Sequence, residues 1–206
     1  MYHSYNTIDF EYIGRQGMLG EVLWNDEIGW PYFKSSTPSV SAEVPFDNTV
    51  QKRDTIFCDD FSSNKNVAFW EWEVKHQKPE INIKDGELII TSVEDGVNFL
   101  GLRPKTGDYK MTAEIVQSNE MAGIGIYSNR EFLISFSANS SELTIFQTQK
   151  GKKEILTREA INETGSIYLK FEAIDGKYFQ FFWSENGTDW IPVRIGNEYQ
   201  LDGTFI

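Results

Sequence analysis

Two-residue turn signals between short apolar runs constrain this chain more than any other feature. Asp85-Gly86 separates the apolar residues 81–83 from residues 88–91. An Asp-Gly or Asn-Gly pair in this setting is the strongest short-range signal of a β-hairpin, because both positions readily adopt positive φ. Similar signals recur along the chain, at Asp95-Gly96, Lys150-Gly151, Asp175-Gly176 and Asn186-Gly187. The sequence therefore predicts consecutive hairpins from about residue 54 onward.

Between these turns, apolar and polar residues alternate with the period of a β-strand. Residues 109–117 place Tyr109, Met111 and Ile115 on one face and polar residues on the other, and residues 167–173 repeat the pattern. Further strands are predicted at residues 1–5, 13–33, 55–58, 68–74, 99–102, 123–127, 131–136, 143–146, 154–156, 178–183 and 190–193. Strands at roughly 8–12-residue spacing without a helical period predict an all-antiparallel sandwich or barrel. The number of strands favours a two-sheet sandwich of the jelly-roll kind.

The composition supports a packed core and excludes some partners. The chain of 206 residues is 40% hydrophobic and 15% aromatic, and it carries a net charge of −12. Nucleic acids and anionic membranes need clustered Lys and Arg, so neither is expected as a partner. Cys58 is the only cysteine, which excludes an intrachain disulfide and a cysteine-based metal site and indicates a small buried hydrophobic residue.

The first residues look like a strand rather than a leader. Residues 1–6 carry no charged and apolar signal peptide, and no apolar run reaches the roughly 18 residues of a membrane span. We expect the chain to begin inside a larger protein, so a bacterial periplasmic, extracellular or cytoplasmic location stays open.

A change of composition divides the chain. Residues 34–48 are rich in Ser, Pro, Thr and Val, and Pro38 and Pro45 cannot donate to a β-ladder. We predict an N-terminal segment at 1–33, a linker at 34–53 and a sandwich at 54–206. Because Ile56-Phe57 has no obvious late partner strand, we expect this sandwich to be cut short at its C-terminus.

The N-terminal segment contains the most distinctive motif. Residues 14–33 place Arg15 between two glycines and an apolar run before Trp24, a turn-like Asn-Asp-Glu and Trp30-Pro31. That order predicts a strand, a tight turn and a returning strand.

These residues resemble the last blade of the five-bladed propeller of family-43 glycoside hydrolases, which are β-xylosidases, α-L-arabinofuranosidases and arabinanases. The match is carried by the strand at residues 2–6, Gly14-Arg15-Gln16, Trp24 and Gly29-Trp30-Pro31. Residues from 54 onward resemble the concanavalin A-like sandwich that follows the propeller in many of those enzymes. The features that carry this second match are Asp59-Asp60-Phe61, Trp72, residues 181–190 and residues 201–205. The resemblance implies an all-β chain, a concanavalin A-like jelly-roll sandwich preceded by a remnant propeller blade.

The resemblance implies a glycosidase acting on xylan- or arabinan-type bonds, with xylo- or arabino-oligosaccharides as ligands. Family members invert configuration with two carboxylates about 6.5–9.5 Å apart and a further Asp that tunes the acid. These acids lie on earlier blades, so no catalytic residue is assigned in this chain. Whether the chain is itself an enzyme is left open, and we expect it to be inactive alone. The sandwich is expected to pack on the propeller and help shape the substrate pocket.

Two residues are implied to bind substrate. The Arg of the Gly-Arg-Gln motif points into the sugar pocket in family members, which assigns this role to Arg15. Its five donors and permanent charge suit sugar hydroxyls and neighbouring carboxylates. His3 matches more loosely a His near the propeller axis, and a plain strand histidine is the alternative.

No cofactor is predicted, and the metal candidates have simpler interpretations. Asp59-Asp60 could contribute to a structural calcium site. Two adjacent acids where a strand meets a turn, however, more often help to form the turn. His76 lies in a polar turn without a second ligand at metal-binding spacing. Six aromatic residues could stack on sugars, although alternation places about half of them in the core: Trp70, Trp72, Tyr178, Phe181, Trp183 and Trp190.

Two alternatives to the glycosidase interpretation remain. The sandwich could be a non-catalytic carbohydrate-binding module, or a structural domain that stabilises a partner through an apolar interface. No nucleophile, zinc-protease or phosphate-binding motif is present in the sequence.

Overall fold

The computed structural model describes residues 2–5, 15–18, 21–34, 56–73, 79–91, 98–104, 106–116, 119–161 and 165–206. The chain divides into two compact units, Met1–Cys58 and Asp59–Ile206. Among the described residues, no helix has the length and apolar character needed to cross a membrane.

The described part of the first unit contains two antiparallel strand pairs. Their strands are β1 (Tyr2–Tyr5), β2 (Arg15–Met18), β3 (Val22–Asn25) and β4 (Trp30–Phe33). β1 pairs with β2, and β3 pairs with β4.

The predicted turn after Trp24 is confirmed, and its sequence explains its geometry. The side-chain Oδ1 of Asn25 accepts hydrogen bonds from the backbone N–H groups of Glu27 at 3.0 Å and Ile28 at 3.2 Å. The N–H of Gly29 donates to the carbonyl of Asn25 at 2.8 Å, with a φ of +68° that glycine adopts without strain. An Asn that caps its own turn therefore returns the chain into β4.

Within the described residues, the second unit contains eleven strands and one short 3-10 helix, Asn64–Phe69. The strands are β5 (Glu80–Lys84), β6 (Glu87–Thr91), β7 (Tyr109–Val116), β8 (Ala122–Asn129), β9 (Phe132–Ala138), β10 (Glu142–Gln149), β11 (Lys152–Ala160), β12 (Ser166–Ile174), β13 (Tyr178–Ser184), β14 (Ile191–Pro192) and β15 (Leu201–Asp202).

Two antiparallel sheets face each other across one core. One sheet has the order β11-β10-β9-β8, the other has the order β14-β13-β12-β7, and β15 also pairs with β13. The rings of Phe136 on β9 and Phe181 on β13 meet edge to face, with centroids 5.4 Å apart. A separate hairpin is formed by β5 and β6. The predicted all-β sandwich is confirmed.

Strand alternation selects which side chains fill this core. Along β12 the residues Ile167, Leu169, Phe171 and Ala173 are buried, and the residues between them are only half-buried. The remaining buried apolar side chains come from both sheets and the segment after β14: Ile124, Leu133, Ile134, Phe136, Ala138, Leu143, Ile145, Phe179, Phe181 and Val193. The alternation of apolar and polar residues thus places one face of each sheet in a shared core.

Three predicted hairpin turns are confirmed by their backbone angles. Asp85-Gly86 has φ values of 55° and 81°, and Lys150-Gly151 has φ values of 50° and 76°. Asp175-Gly176, at 53° and 61°, joins β12 to β13 in the same way. Paired positive φ values match the twist of the flanking strands.

Within the described residues, no strand forms where residues 55–58, 68–74 and 99–102 were predicted to be strands, so these predictions are wrong. Residues 56–60 lie outside any strand, the 3-10 helix ends at Phe69, and Glu71 and Gly101 form one isolated bridge. The aromatic residues are held by local contacts instead. Trp70 Nε1 donates to Asp59 Oδ2 at 3.1 Å, and the Trp70 ring stacks on Phe61 at 6.2 Å. Alternation was therefore present without the backbone pairing that defines a strand.

β8 is longer than the strand predicted at residues 123–127, and some predictions remain outside the described residues. β8 continues to Asn129 and turns at Arg130 and Glu131 before β9. The predicted turn at Asp95-Gly96, the linker from residue 35 to 53 and His76 fall outside the described ranges.

Candidate functional site

Arg15 and His3 occupy neighbouring strands of the first hairpin. In the register of β1 and β2, Arg15 lies opposite Tyr5, and His3 lies opposite Gly17, two positions further along. The side chains of these residues are outside what the structure describes. Their proposed contacts with sugar hydroxyls therefore stay predictions.

The second hairpin presents large aromatic side chains to solvent. Trp24 is 66% exposed and Trp30 is 71% exposed, and Tyr32 and Phe33 are about half-exposed. None of the described residues of β3 and β4 is buried. The motif that carries the propeller resemblance thus forms the expected hairpin without a core of its own.

Asp59 and Asp60 act as turn acceptors. Asp59 Oδ1 accepts from the backbone N–H of Phe61 at 3.1 Å, and Asp60 Oδ1 accepts from that of Ser62 at 3.0 Å. The backbone hydrogen bond from Ser62 lowers the pKa of Asp60 below its usual value. No group of three or more potential metal ligands occurs within the described ranges. Both carboxylates therefore accept hydrogen bonds within a local turn, which is the turn-forming interpretation of this pair.

The six candidate aromatic residues divide between core and surface. Phe181 is buried, with 1% exposure, and cannot stack on a sugar. Trp183 is half-buried, and its Nε1 is buried without a hydrogen-bond partner in the described structure. Trp70 is held by Asp59, as described above, and Trp72 is half-buried. Tyr178 and Trp190 are half-buried at the sheet surface, so they are accessible in part.

The outward-facing residues of β7, β12 and β13 form the outer face of the five-stranded sheet. Its centre is Tyr168, Lys170 and Glu172 of β12. The residues opposite them on β7 are Glu114, Thr112 and Lys110. Those opposite them on β13 are Ser184, Phe182 and Gln180. Because these positions alternate with the buried residues of β12, they face away from the core.

Lys170 is held in place at the centre of this face. Its Nζ lies 4.2 Å from the ring centroid of Phe182 and 4.7 Å from that of Trp190. The same Nζ contacts Glu172 Oε1 at 2.9 Å, and the Lys170 side chain is only 15% exposed. Each cation–ring contact stabilises this placement by about 0.5–2 kcal/mol. A long, flexible side chain is thereby fixed in one orientation.

The turn between β13 and β14 positions Trp190. Asn186 Oδ1 accepts from the backbone N–H groups of Thr188 and Asp189, each at 2.9 Å. A Cβ at Gly187 would lie 3.3 Å from the ring of Tyr168, so this turn packs closely on the outer face. The Asn-Gly turn therefore reverses the chain and also places the indole ring of Trp190 beside Lys170.

Tyr168 lies opposite the Glu114 carboxylate on this face. Partial burial first, and then the neighbouring Glu114 carboxylate, raise the pKa of the Tyr168 hydroxyl.

Sequence reasoning singled out Trp190 but not Lys170, Glu172, Gln180 or Phe182. The signal was available in part, since the alternation of residues 167–173 already placed Lys170 and Glu172 opposite the core. The sequence gives no indication that a turn residue returns over Lys170, because that contact depends on how β13 and β14 pair.

Comparisons with known proteins agree with the sandwich. The family model described as the β-xylosidase C-terminal concanavalin A-like domain matches residues 58–205. No curated protein matches the sequence. The crystal structure of xylan β-1,4-xylosidase from Bacillus halodurans C-125 is similar, with a TM-score of 0.70 and 19% identity. The match covers 95% of this chain and 41% of that one, so the chain spans less than half the length of its structural neighbour. At this identity the likeness is one of fold.

Proposed function

Because this chain belongs to the family of C-terminal concanavalin A-like domains of β-xylosidases, we propose that it forms the C-terminal region of a glycosidase of family 43. The bonds hydrolysed would be those of xylan- or arabinan-type glycans. The family match over residues 58–205 carries this proposal. The shared fold with a xylosidase of more than twice the length supports it.

In this proposal the sandwich is a supporting domain and the chemistry lies on a propeller. Residues 54–206 would pack on that propeller and help shape the wall of its pocket. Residues 1–33 would be the last blade, joined by a linker at 34–53. The β3–β4 hairpin supports this role, because its exposed aromatic side chains suit a surface that neighbouring blades cover.

Arg15 would bind sugar hydroxyls in that pocket, and His3 would lie near it. The support is positional, since Arg15 and Gln16 of the motif begin β2, which pairs with the strand that holds His3. A guanidinium suits this task because it offers five donors in a fixed plane and never loses its charge.

The first experiment tests whether this chain turns over substrate alone. The 206-residue protein is assayed with an aryl β-xyloside and an aryl α-L-arabinofuranoside, with and without a chelator. We expect no turnover in either condition, because the catalytic acids of the family belong to other blades. Turnover by the isolated chain would contradict the proposal.

The second experiment tests the role of Arg15 in a protein that also contains the propeller. Arg15→Ala should lower kcat/KM roughly 10- to 100-fold, which corresponds to one lost charged hydrogen bond. The matched control is Arg103→Ala, which removes an exposed guanidinium that pairs with Glu71 at 2.8 Å in the sandwich. Equal kcat/KM values for the two variants would refute the role of Arg15.

A further inference from the structure

We propose that β7 pairs with β7 of a second copy of this chain, so that two five-stranded sheets join edge to edge. The two strands would run antiparallel about a twofold axis at Thr112. In this register Lys110 of each copy lies opposite Glu114 of the other. Nothing in the family match or in the proposed glycosidase function assigns a partner to this strand.

The position of β7 in its sheet leaves one side open to pairing. β7 is the last strand in the order β14-β13-β12-β7, and among the described residues it pairs with β12 alone. All eight of its residues, Tyr109–Val116, are in continuous register with β12. A regular edge strand of this length presents backbone N–H and C=O groups on its other side, where another strand can bind them.

The hydrophobic layer of the sheet continues to this edge and is open there. The core-facing residues of β7 are Tyr109, Met111, Ala113 and Ile115, and all four are only half-buried. Their four neighbours on β12 are each no more than 4% exposed. A strand added beside β7 would bring apolar side chains onto this layer and remove more of it from water.

The other edge strands carry features that oppose pairing or already have neighbours. β11 begins with the charged run Lys152-Lys153-Glu154 and has an irregular register with β10. β14 has two residues, one of which is Pro192. On β8, the hydroxyl of Tyr127 donates to Glu73, and its ring centroid lies 3.9 Å from that of Phe99. Charge runs, irregular registers and prolines limit edge pairing, and β7 has none of them.

The charges of β7 make it complementary to an antiparallel copy of itself. Lys110 and Glu114 lie on the outward face, at equal distances on either side of Thr112. Pairing about Thr112 therefore creates two Lys–Glu pairs and one Thr–Thr pair, and each of these cross-strand pairs is stabilising. A shift of two residues in one direction would place Asp108 opposite Glu114, and a shift in the other direction would leave both charges without an opposite charge. A parallel copy in register would align like charges.

Neither charge is used in an ion pair within the described part of the chain. Glu172 lies opposite Lys110 on β12, but its carboxylate contacts Lys170 at 2.9 Å. Glu114 lies opposite Tyr168. A second copy would thus supply the oppositely charged partner that each of the two β7 side chains lacks.

Sedimentation velocity of the 206-residue chain over a concentration series tests the pairing. We expect a monomer–dimer equilibrium in the parent. Lys110→Glu and Glu114→Lys should each raise the dimer Kd about tenfold or more, because each places two like-charged pairs across the interface. The two substitutions change the net charge in opposite directions, so general charge repulsion would not weaken both dimers. A monomer at every concentration up to the solubility limit overturns the proposal, as does parent-like association of both variants.

Restored charge pairs test the register. The double variant K110E/E114K keeps the net charge and reverses both pairs, so its dimer Kd should return to within about threefold of the parent value. An equimolar mixture of the two single variants should form a heterodimer, because one copy then carries two acids and the other two lysines. Association through the exposed indoles of the β3–β4 hairpin would ignore these changes. Failure of both restorations overturns the proposed register.

A cross-link gives a readout that does not depend on charge. Opposite residues of an antiparallel pair have Cα atoms about 4.5–5.5 Å apart, which suits a disulfide. In a Cys58→Ser background, Thr112→Cys should therefore give a covalent dimer with diamide as the oxidant. Val116→Cys is the control, because the two copies of this position would be roughly 26 Å apart. Equal cross-linking of the two variants contradicts the twofold axis at Thr112.

Folding controls keep each outcome decisive. The circular dichroism spectrum and unfolding midpoint of each variant show whether it is folded. If Lys110→Glu does not fold, then Glu114→Lys and the cross-linking pair carry the test. Since association is measured without turnover, a failed glycosidase assay leaves this test intact.

Discussion

The two units of this chain use aromatic residues in opposite ways. In the sandwich, Phe136, Phe179 and Phe181 are almost completely buried and contribute to one continuous core. In the hairpin of β3 and β4, the indoles of Trp24 and Trp30 are largely exposed. A hairpin of two strands buries too little apolar surface to be stable alone, whereas two stacked sheets enclose a core. The difference indicates that residues 59–206 carry the stability of the chain.

The largest effect should come from the centre of the core. Phe181→Ala should lower the free energy of unfolding by about 3–5 kcal/mol, because it removes a buried ring and leaves a cavity. Trp24→Ala removes an even larger aromatic side chain, yet should change the free energy of unfolding by less than about 0.5 kcal/mol. Urea unfolding followed by circular dichroism measures both. Similar losses in the free energy of unfolding for the two variants would contradict the claim that residues 59–206 carry the stability of the chain.

A glycine in the sandwich should be the next most sensitive position. A Cβ at Gly123 would lie 2.1 Å from the backbone oxygen of Phe136, so β8 and β9 would have to move apart. We expect Gly123→Ala to cost about 3 kcal/mol, the upper end of the range for overpacking. Gly165→Ala is the control, since a Cβ there meets no atom within 4 Å. Equal unfolding midpoints would show that β8 tolerates the shift.

Alkaline pH should destabilise the sandwich through Tyr109. Burial raises the pKa of Tyr109 to about 12 in the folded chain, from 10.0. The folded state therefore binds the Tyr109 proton more tightly than the unfolded state does. The contribution of Tyr109 to the free energy of unfolding is fully present below pH 10 and is lost as the pH rises toward 12. The loss should be on the order of 2 kcal/mol. Tyr109→Phe should flatten this part of the pH profile of unfolding, and an unchanged profile would contradict the assigned cause.

The smallest expected effect is a gain in stability. Thr144 Oγ1 is buried and has no hydrogen-bond partner in the described structure. Thr144→Val removes an unsatisfied hydroxyl and should raise the free energy of unfolding by about 1 kcal/mol. In contrast, Thr188 Oγ1 donates to Asn186 Oδ1 at 2.8 Å. Thr188→Val should leave the free energy of unfolding unchanged or lower it. A gain at both sites would contradict the assigned cause and point to a general stabilising effect of valine.

Local sequence signals predicted the fold well where backbone pairing and alternation coincide. Asp85-Gly86 and Lys150-Gly151 each take paired positive φ values, and in both pairs the glycine adopts this conformation without strain. Residues 68–73 show the limit, because their alternation is present without a partner strand among the described residues. Whether an alternating segment pairs depends on distant residues, such as the single bridge between Glu71 and Gly101.

The candidate sites could be predicted only in part. The motif around Arg15 was visible because its residues are contiguous in the sequence. The surface around Lys170 was not, since Lys170, Phe182 and Trp190 meet through the pairing of β12 with β13 and the turn that follows. Contacts between residues on different strands require the register, which composition and periodicity do not determine.

Hydrogen exchange on the intact chain tests the central claim most directly. If residues 59–206 carry the stability, backbone amides of β9, β10, β12 and β13 should exchange only through global unfolding. Amides of the β3–β4 hairpin should exchange at least about 100-fold faster, because local opening there exposes little buried surface. Equal protection of the hairpin and of β12, with the same dependence on urea, would contradict it.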